Sequence, residues 1–131
     1  LWAEDRENLS HVTFAAPQKW EEALTLETHD GTCVGFTHGH LAGSQSKVGS
    51  WFADLAFGHR SGLNEASVLV HGHFHTFRIE YVGDSRTVIG APSSDNGSSW
   101  FTNVSGKSSP SELLAFEVQG GFSKNWKLYR G

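Results

Sequence analysis

Methionine is absent from the 131 residues, and cysteine and proline are scarce, at one and three. A single thiol, Cys33, can form no disulfide within the chain. That excludes a disulfide-stapled secreted scaffold and points to a reducing, cytoplasmic setting. Cys33 lies in an apolar run and reads as a small buried hydrophobe. The opening Leu1-Trp2-Ala3-Glu4-Asp5 carries neither an initiator Met nor a signal peptide, so residue 1 reads as a point inside a longer parent. No apolar stretch approaches the roughly 20 residues that cross a bilayer, and no membrane partner is expected. Positive charge is also short: 10 Lys and Arg against 14 Asp and Glu give a net charge of −4. This argues against a strongly basic nucleic-acid surface, although a metal cluster can hold phosphate by itself.

Bulky apolar volume is present, in nine Phe and five Trp, and 15 Gly supply many turns. The length suits one domain with a real core. Most informative are the eight histidines, five of which fall in two clusters. In the second cluster, Val68-Leu69-Val70 reads as a buried strand that runs into His71-Gly72-His73-Phe74-His75. In the first, Val34-Gly35-Phe36-Thr37 runs into His38-Gly39-His40. Each is a short β-prone run ending in His-Gly-His. Neutral imidazole is the commonest biological metal ligand. Two strand ends that deliver histidine to loops suggest one site where neighbouring strands finish. His73 and His75 share a face only if the backbone stays extended; a turn at Gly72 would let them reach around a common centre.

Along the chain, His11 to Phe14 is a short strand candidate broken by Pro17. Lys19 to Glu27 fits a short helix or an irregular strand. His29-Asp30-Gly31 signals a turn, with His29 exposed. Thr32 to Thr37 is the first clear strand. Val48, Trp51, Phe52 and Leu55 fit an amphipathic helix over 47–57, with Ser46 as N-cap and Gly58 as stop. His59 reads as a cation at the helix end. Phe77, Ile79 and Tyr81 alternate with Arg78 and Glu80, a half-buried strand that turns through Gly83-Asp84-Ser85 into Arg86 to Ile89. Glu112 to Val118, a Gly120-Gly121 turn and a short Trp126 to Tyr129 strand complete the order. Trp100, in a polar loop, is the aromatic best placed to face a substrate or partner. The expected fold is α/β grading into α+β: a layered sheet with a flanking helix and mostly antiparallel strands toward the C-terminal end. The histidine loops would stand at the carboxyl ends of its main strands, where open α/β sheets place ligands.

Gly35-Phe36-Thr37-His38-Gly39-His40-Leu41, followed across a helix by Gly72-His73-Phe74-His75, resembles the last two signature blocks of calcineurin-like metallophosphoesterases. Asp95 to Phe101, Gly106 to Pro110 and Leu113 to Phe116 look similar to the C-terminal part of phage and actinobacterial members. The resemblance runs from about Thr32 to Phe116. It implies the C-terminal half of a layered metallophosphoesterase β-sandwich, and hydrolysis of a phosphoester, phosphodiesterase- or nuclease-like, by a metal-bound hydroxide. By position, it implies His38 and His73 as ligands of one metal of a two-metal centre and His75 as ligand of the other, filled by Mn, Fe, Zn or Ni. It also implies His40 as a catalytic histidine facing the phosphate. His71 stands where an apolar residue is more usual and reads as a residue behind the site or in the core.

The family's earlier blocks, Asp-x-His, Gly-Asp-x-x-Asp and Gly-Asn-His-Asp/Glu, do not occur. They supply the carboxylate that bridges the metals. Three imidazoles can hold one Zn²⁺ or Ni²⁺ with a position left open, but they do not neutralise two divalent charges. Activity is therefore expected to need an N-terminal half in cis or in trans, and an open edge could otherwise drive self-association. Nucleic acid is one possible phosphoester substrate. Two alternatives stand beside this reading: a non-catalytic metal-binding or interaction module, and a cupin-like barrel, suggested by His73-x-His75 followed by Glu80.

Overall fold

The apolar run over 68–70 forms the middle of a five-stranded sheet in the computed structural model, which describes residues 11–57, 62–95 and 110–131. Seven strands and one helix follow in order: β1 (Ala23–Glu27), β2 (Cys33–Thr37), α1 (Val48–Phe57), β3 (Val68–His71), β4 (Arg78–Val82), β5 (Arg86–Gly90), β6 (Glu112–Gln119) and β7 (Phe122–Arg130). The first five strands lie side by side in the order β1-β2-β3-β5-β4, and β6 and β7 pair separately. β2, β3 and β5 run parallel, while β1 and β4 close the edges antiparallel. Parallel neighbours need a long crossover; between β2 and β3 it carries α1.

Side-chain alternation along the strands builds two cores. Leu69 and Val88 face α1, where they bury Val48, Phe52 and Ala56. Val34, Val68 and Ile89 face the other way, beneath Leu114, Phe116, Val118 and Trp126 of the β6–β7 hairpin. The result is three layers: helix, sheet, hairpin. Being covered on both faces is why β3 carries no polar alternation. Each fully buried Leu or Phe contributes roughly 1.5–3 kcal/mol through this burial. Arg86 fastens the crossover, donating from both terminal nitrogens to the carbonyls of Ala66 and Asn64 at 2.9 Å, with its guanidinium 5.5 Å from the Phe52 ring centre.

Several sequence expectations change. The stretch over 11–14 is irregular, not a strand. The ambiguous stretch over 19–27 resolves as a turn and then β1, whose partner β2 supplies the missing backbone bonds. Ser46 is not the helix cap: a single 3-10 turn, Gln45–Lys47, leads directly into α1, and the Ser46 hydroxyl meets that of Ser44 at 3.2 Å. The last strand is longer than expected, because the Gly120-Gly121 turn lets Phe122 pair at once with Gln119. Both glycines have positive φ, at 62° and 83°, the requirement of a two-residue hairpin turn of this hand. The described sheet is open and layered, so the barrel of the cupin-like reading does not form. Expectations for Gly58, His59 and Trp100 lie outside the described residues. Among the described residues no helix is long and apolar enough to cross a membrane.

One polar clip joins the hairpin to the sheet. Asp30 accepts from the Thr28 hydroxyl at 2.6 Å, the Thr32 amide at 3.1 Å and the Gly120 amide at 2.7 Å. Thr32 adds a contact from its hydroxyl oxygen, which accepts from the Gly121 amide at 2.9 Å. These donors, the Thr28 hydroxyl foremost and the Gly120 amide next, hold the Asp30 carboxyl well below the usual carboxylate range. The folded state thus binds that proton more weakly than the unfolded chain. The resulting stability is complete above about pH 4 and is lost as pH falls below it. Asp30→Ala should lower the melting temperature at pH 7, speed hydrogen exchange at the Gly120 and Gly121 amides, and flatten the acid limb of stability against pH. An unchanged exchange rate at both amides would contradict the clip.

Candidate metal centre

Register brings the two histidine clusters together. Thr37 of β2 pairs with His71 of β3, so the residues that follow, His38 and Gly72, leave the sheet side by side. The Gly72 amide reaches back to the Thr37 carbonyl at 3.4 Å. The backbone then folds sharply: the Phe74 amide donates to the Gly72 carbonyl at 2.8 Å, a three-residue turn centred on His73. His73 has φ 66° and His75 φ 54°. Two non-glycine residues within three positions occupy the left-handed region, a strained placement of the kind that gathers at binding sites. The extended arrangement that would have given His73 and His75 one face is therefore absent.

That turn aims His73 at His38. His73 Nδ1 and His38 Nε2 lie 3.0 Å apart, one ring donating its N–H to the bare nitrogen of the other. The ring centres are 4.8 Å apart and nearly edge-on. His40 joins them, 5.3 Å from His38 and 6.2 Å from His73 between ring centres. All three are exposed, whereas His75, two residues further on, is half-buried. Burial first, and then the nearby His38, His40, His75 and His71, lower the His73 pKa. Both causes favour the neutral imidazole, the form that binds metal.

Beneath the group lies His71, only 2% exposed. Its Nδ1–H donates to the Gly72 carbonyl at 2.9 Å. Burial, the largest cause, lowers its pKa, so it is neutral. His71 is the floor of the site: a Cβ on Gly39 would come within 3.1 Å of its Nδ1, and one on Gly90 within 3.2 Å of its Nε2. Gly39 also has φ 96°. The loop that carries His38 and His40 can rest on His71 only because residue 39 has no side chain. The Gln45 amide completes the frame, donating to the Thr76 carbonyl at 3.2 Å and tying the first loop to the second.

The donor chemistry suits a borderline divalent ion. Two nitrogens that bind one tetrahedral Zn²⁺ at 2.0–2.1 Å stand about 3.3 Å apart, close to the 3.0 Å between His38 and His73. Among the described residues, however, no three His, Cys, Asp or Glu side chains are placed to hold a metal together. The His38–His73 pair fits two coordination positions, and further donors must come from rearrangement of His40 or His75 or from elsewhere. Glu80 is engaged away from the group, ion-paired to Arg78 at 3.2 Å and set against Gly49 at the start of α1. His71 packs as the sequence suggested, behind the site and in the core; the turn is centred on His73, one residue beyond the Gly72 that the sequence offered for it.

No family model and no curated protein matches the sequence. Structural likeness is clearer. A single-residue mutant of Vps29 from Entamoeba histolytica aligns with TM-score 0.54 and 15% identity over 92% of this chain and 66% of that one. Wild-type Vps29 from the same organism, complexed with Zn²⁺, aligns with TM-score 0.54 and 14% identity over 98% and 76%. A protein of Streptococcus pneumoniae described as a predicted phosphoesterase aligns at TM-score 0.46 and 18% identity, over 87% and 66%. The chain thus spans about two thirds of the length of the first of these structures. At such identities the likeness is one of fold alone: a mixed α/β arrangement shared with the Vps29 structures.

Gly39→Ala should cost about 1–3 kcal/mol from the left-handed backbone and the contact with His71. It should also shift the His38 and His40 imidazole resonances in NMR spectra while leaving those of the distant His29 in place. Unmoved His38 and His40 resonances would mean that the loop does not depend on His71.

Proposed function

We propose that the histidine group serves metal-dependent hydrolysis of a phosphoester, with this chain acting as the C-terminal part of a longer metallophosphoesterase. The observation that carries this reading is the 3.0 Å approach of His38 Nε2 and His73 Nδ1 at the carboxyl ends of adjacent parallel strands. His38 and His73 would hold a divalent ion such as Mn, Fe, Zn or Ni, with His75 as ligand to the second ion of a complete two-metal centre. A divalent ion there supplies Lewis acidity toward a phosphoryl oxygen. His40, exposed beside the pair, would donate an N–H to a non-bridging oxygen of the phosphate. His71 keeps the loops in place. The narrower form of the reading is a phosphodiesterase, nuclease-like in the manner of the phage and actinobacterial proteins the sequence resembles.

A second reading is a non-catalytic metal-binding or interaction module, in keeping with the absence of a three-ligand set among the described residues. Under the first reading that lack is met by carboxylates from an N-terminal half, in cis or in trans, and the chain alone turns over slowly. The titration and assay needed are simple. Zn²⁺ or Mn²⁺ binding, followed by calorimetry, should weaken in His38→Ala and in His73→Ala by more than the roughly 10–100-fold that loss of a supporting partner costs. Hydrolysis of bis-p-nitrophenyl phosphate with Mn²⁺ should be slow but measurable, and absent in His73→Ala. Metal affinity indifferent to both substitutions would end the metal reading. Tight binding without any turnover would leave the non-catalytic module.

A further inference from the structure

The hairpin covers only part of the sheet face it packs on. Beyond its edge the same face continues through Val70 of β3, Phe36 of β2 and Leu24 of β1, neighbours by register. Phe36 keeps 37% of its surface exposed. These side chains floor an open groove of about 510 Å³, with Glu21 and Glu22 at its lip. His38, His71 and Gly72 line the same groove, so it reaches one member of the histidine pair, His38. Its volume falls in the range of small-molecule sites.

We infer that this groove seats the apolar, aryl-sized alcohol group of the phosphoester, with the phosphate at His38 and His73. The inference rests on the phosphoester reading above, keeps its general form, and sets a small ester in place of its nuclease-like form. Three observations support it. The floor is apolar and flat enough to bury a ring, which polar ribose and phosphate groups would not exploit. It is continuous with His38, so one ligand can occupy both. Finally, Glu21 and Glu22 line the groove itself. Coulomb repulsion opposes a second and third phosphate there, but not a neutral ring. A small ester with one phosphate and an apolar alcohol satisfies all three.

Phosphonates separate this inference from its premise, because binding is read without turnover. Calorimetry on the Zn²⁺-loaded chain would compare phenylphosphonate, methylphosphonate and a pentathymidylate. Phenylphosphonate should bind at least about tenfold more tightly than methylphosphonate, the advantage expected from burying one ring face. The double variant Leu24→Ala/Phe36→Ala should erase that ratio and leave methylphosphonate affinity unchanged. Both side chains are partly exposed, and circular dichroism checks that the variant folds. Equal affinity for the two phosphonates overturns the groove assignment while the phosphoester reading stands, and leaves the apolar face to a protein partner. Tighter binding of the pentathymidylate overturns it in favour of a nuclease. Failure of both phosphonates to bind removes the phosphoester reading and the groove assignment with it.

Discussion

The pairing of Thr37 with His71 is the contact on which the site depends. Parallel strands in register finish level with one another, so their next residues enter solvent as neighbours. Without that register, His38 and His73 would be separated by the width of the sheet or by its thickness. Shifting β2 by one residue would turn Phe36 toward the helix and Gly35 toward the hairpin, exchanging the two cores. The site is therefore locked to the same apolar alternation that builds the fold. Val34 and Val68 on one face, and Leu69 and Val88 on the other, set the register. The histidines inherit their proximity from it.

Much of this architecture was legible from the residues. The His-Gly-His endings, each preceded by a β-prone run and separated by an amphipathic helix, pointed to two strand ends at one place. That pattern works because strand, crossover and strand have only a few arrangements. What the pattern could not carry was the backbone beyond Gly72. A turn at Gly72 was one of the two arrangements the sequence left open, but that the left-handed φ would fall on His73 and aim its imidazole at His38 was not legible. The burial of His71 was legible from its place in an apolar pattern, but its partners were not. Its neighbours Gly39 and Gly90 are 32 and 19 residues distant in sequence, and only the fold reveals that both lie against one ring. Ser46 misled for a related reason: a serine before an apolar helix is a sound cap signal, but Ser46 sits inside the 3-10 turn that leads into the helix.

Charge and burial divide labour among the imidazoles. His71, out of water and bonded to its own loop, stays neutral and behaves as a packing residue. His38, His40 and His73 share the surface, and burial together with the neighbouring imidazoles lowers the His73 pKa. A neutral His73 offers its lone pair to a cation. The same surface is bordered by Glu21 and Glu22 on β1's approach, giving the neighbourhood a negative cast that suits a metal and disfavours a polyanion. These features come from different stretches of the chain and meet only after folding.

The left-handed backbone at positions 73 and 75 sets local stability against chemistry. Each imidazole there sits on a conformation that costs an L-residue about 1–2 kcal/mol, and glycine would adopt it without penalty. A chain selected for rigidity alone would place glycine at both. Sequences of this type that have given up their ligands should therefore drift toward glycine or asparagine at these two positions first, becoming sturdier as they fall silent.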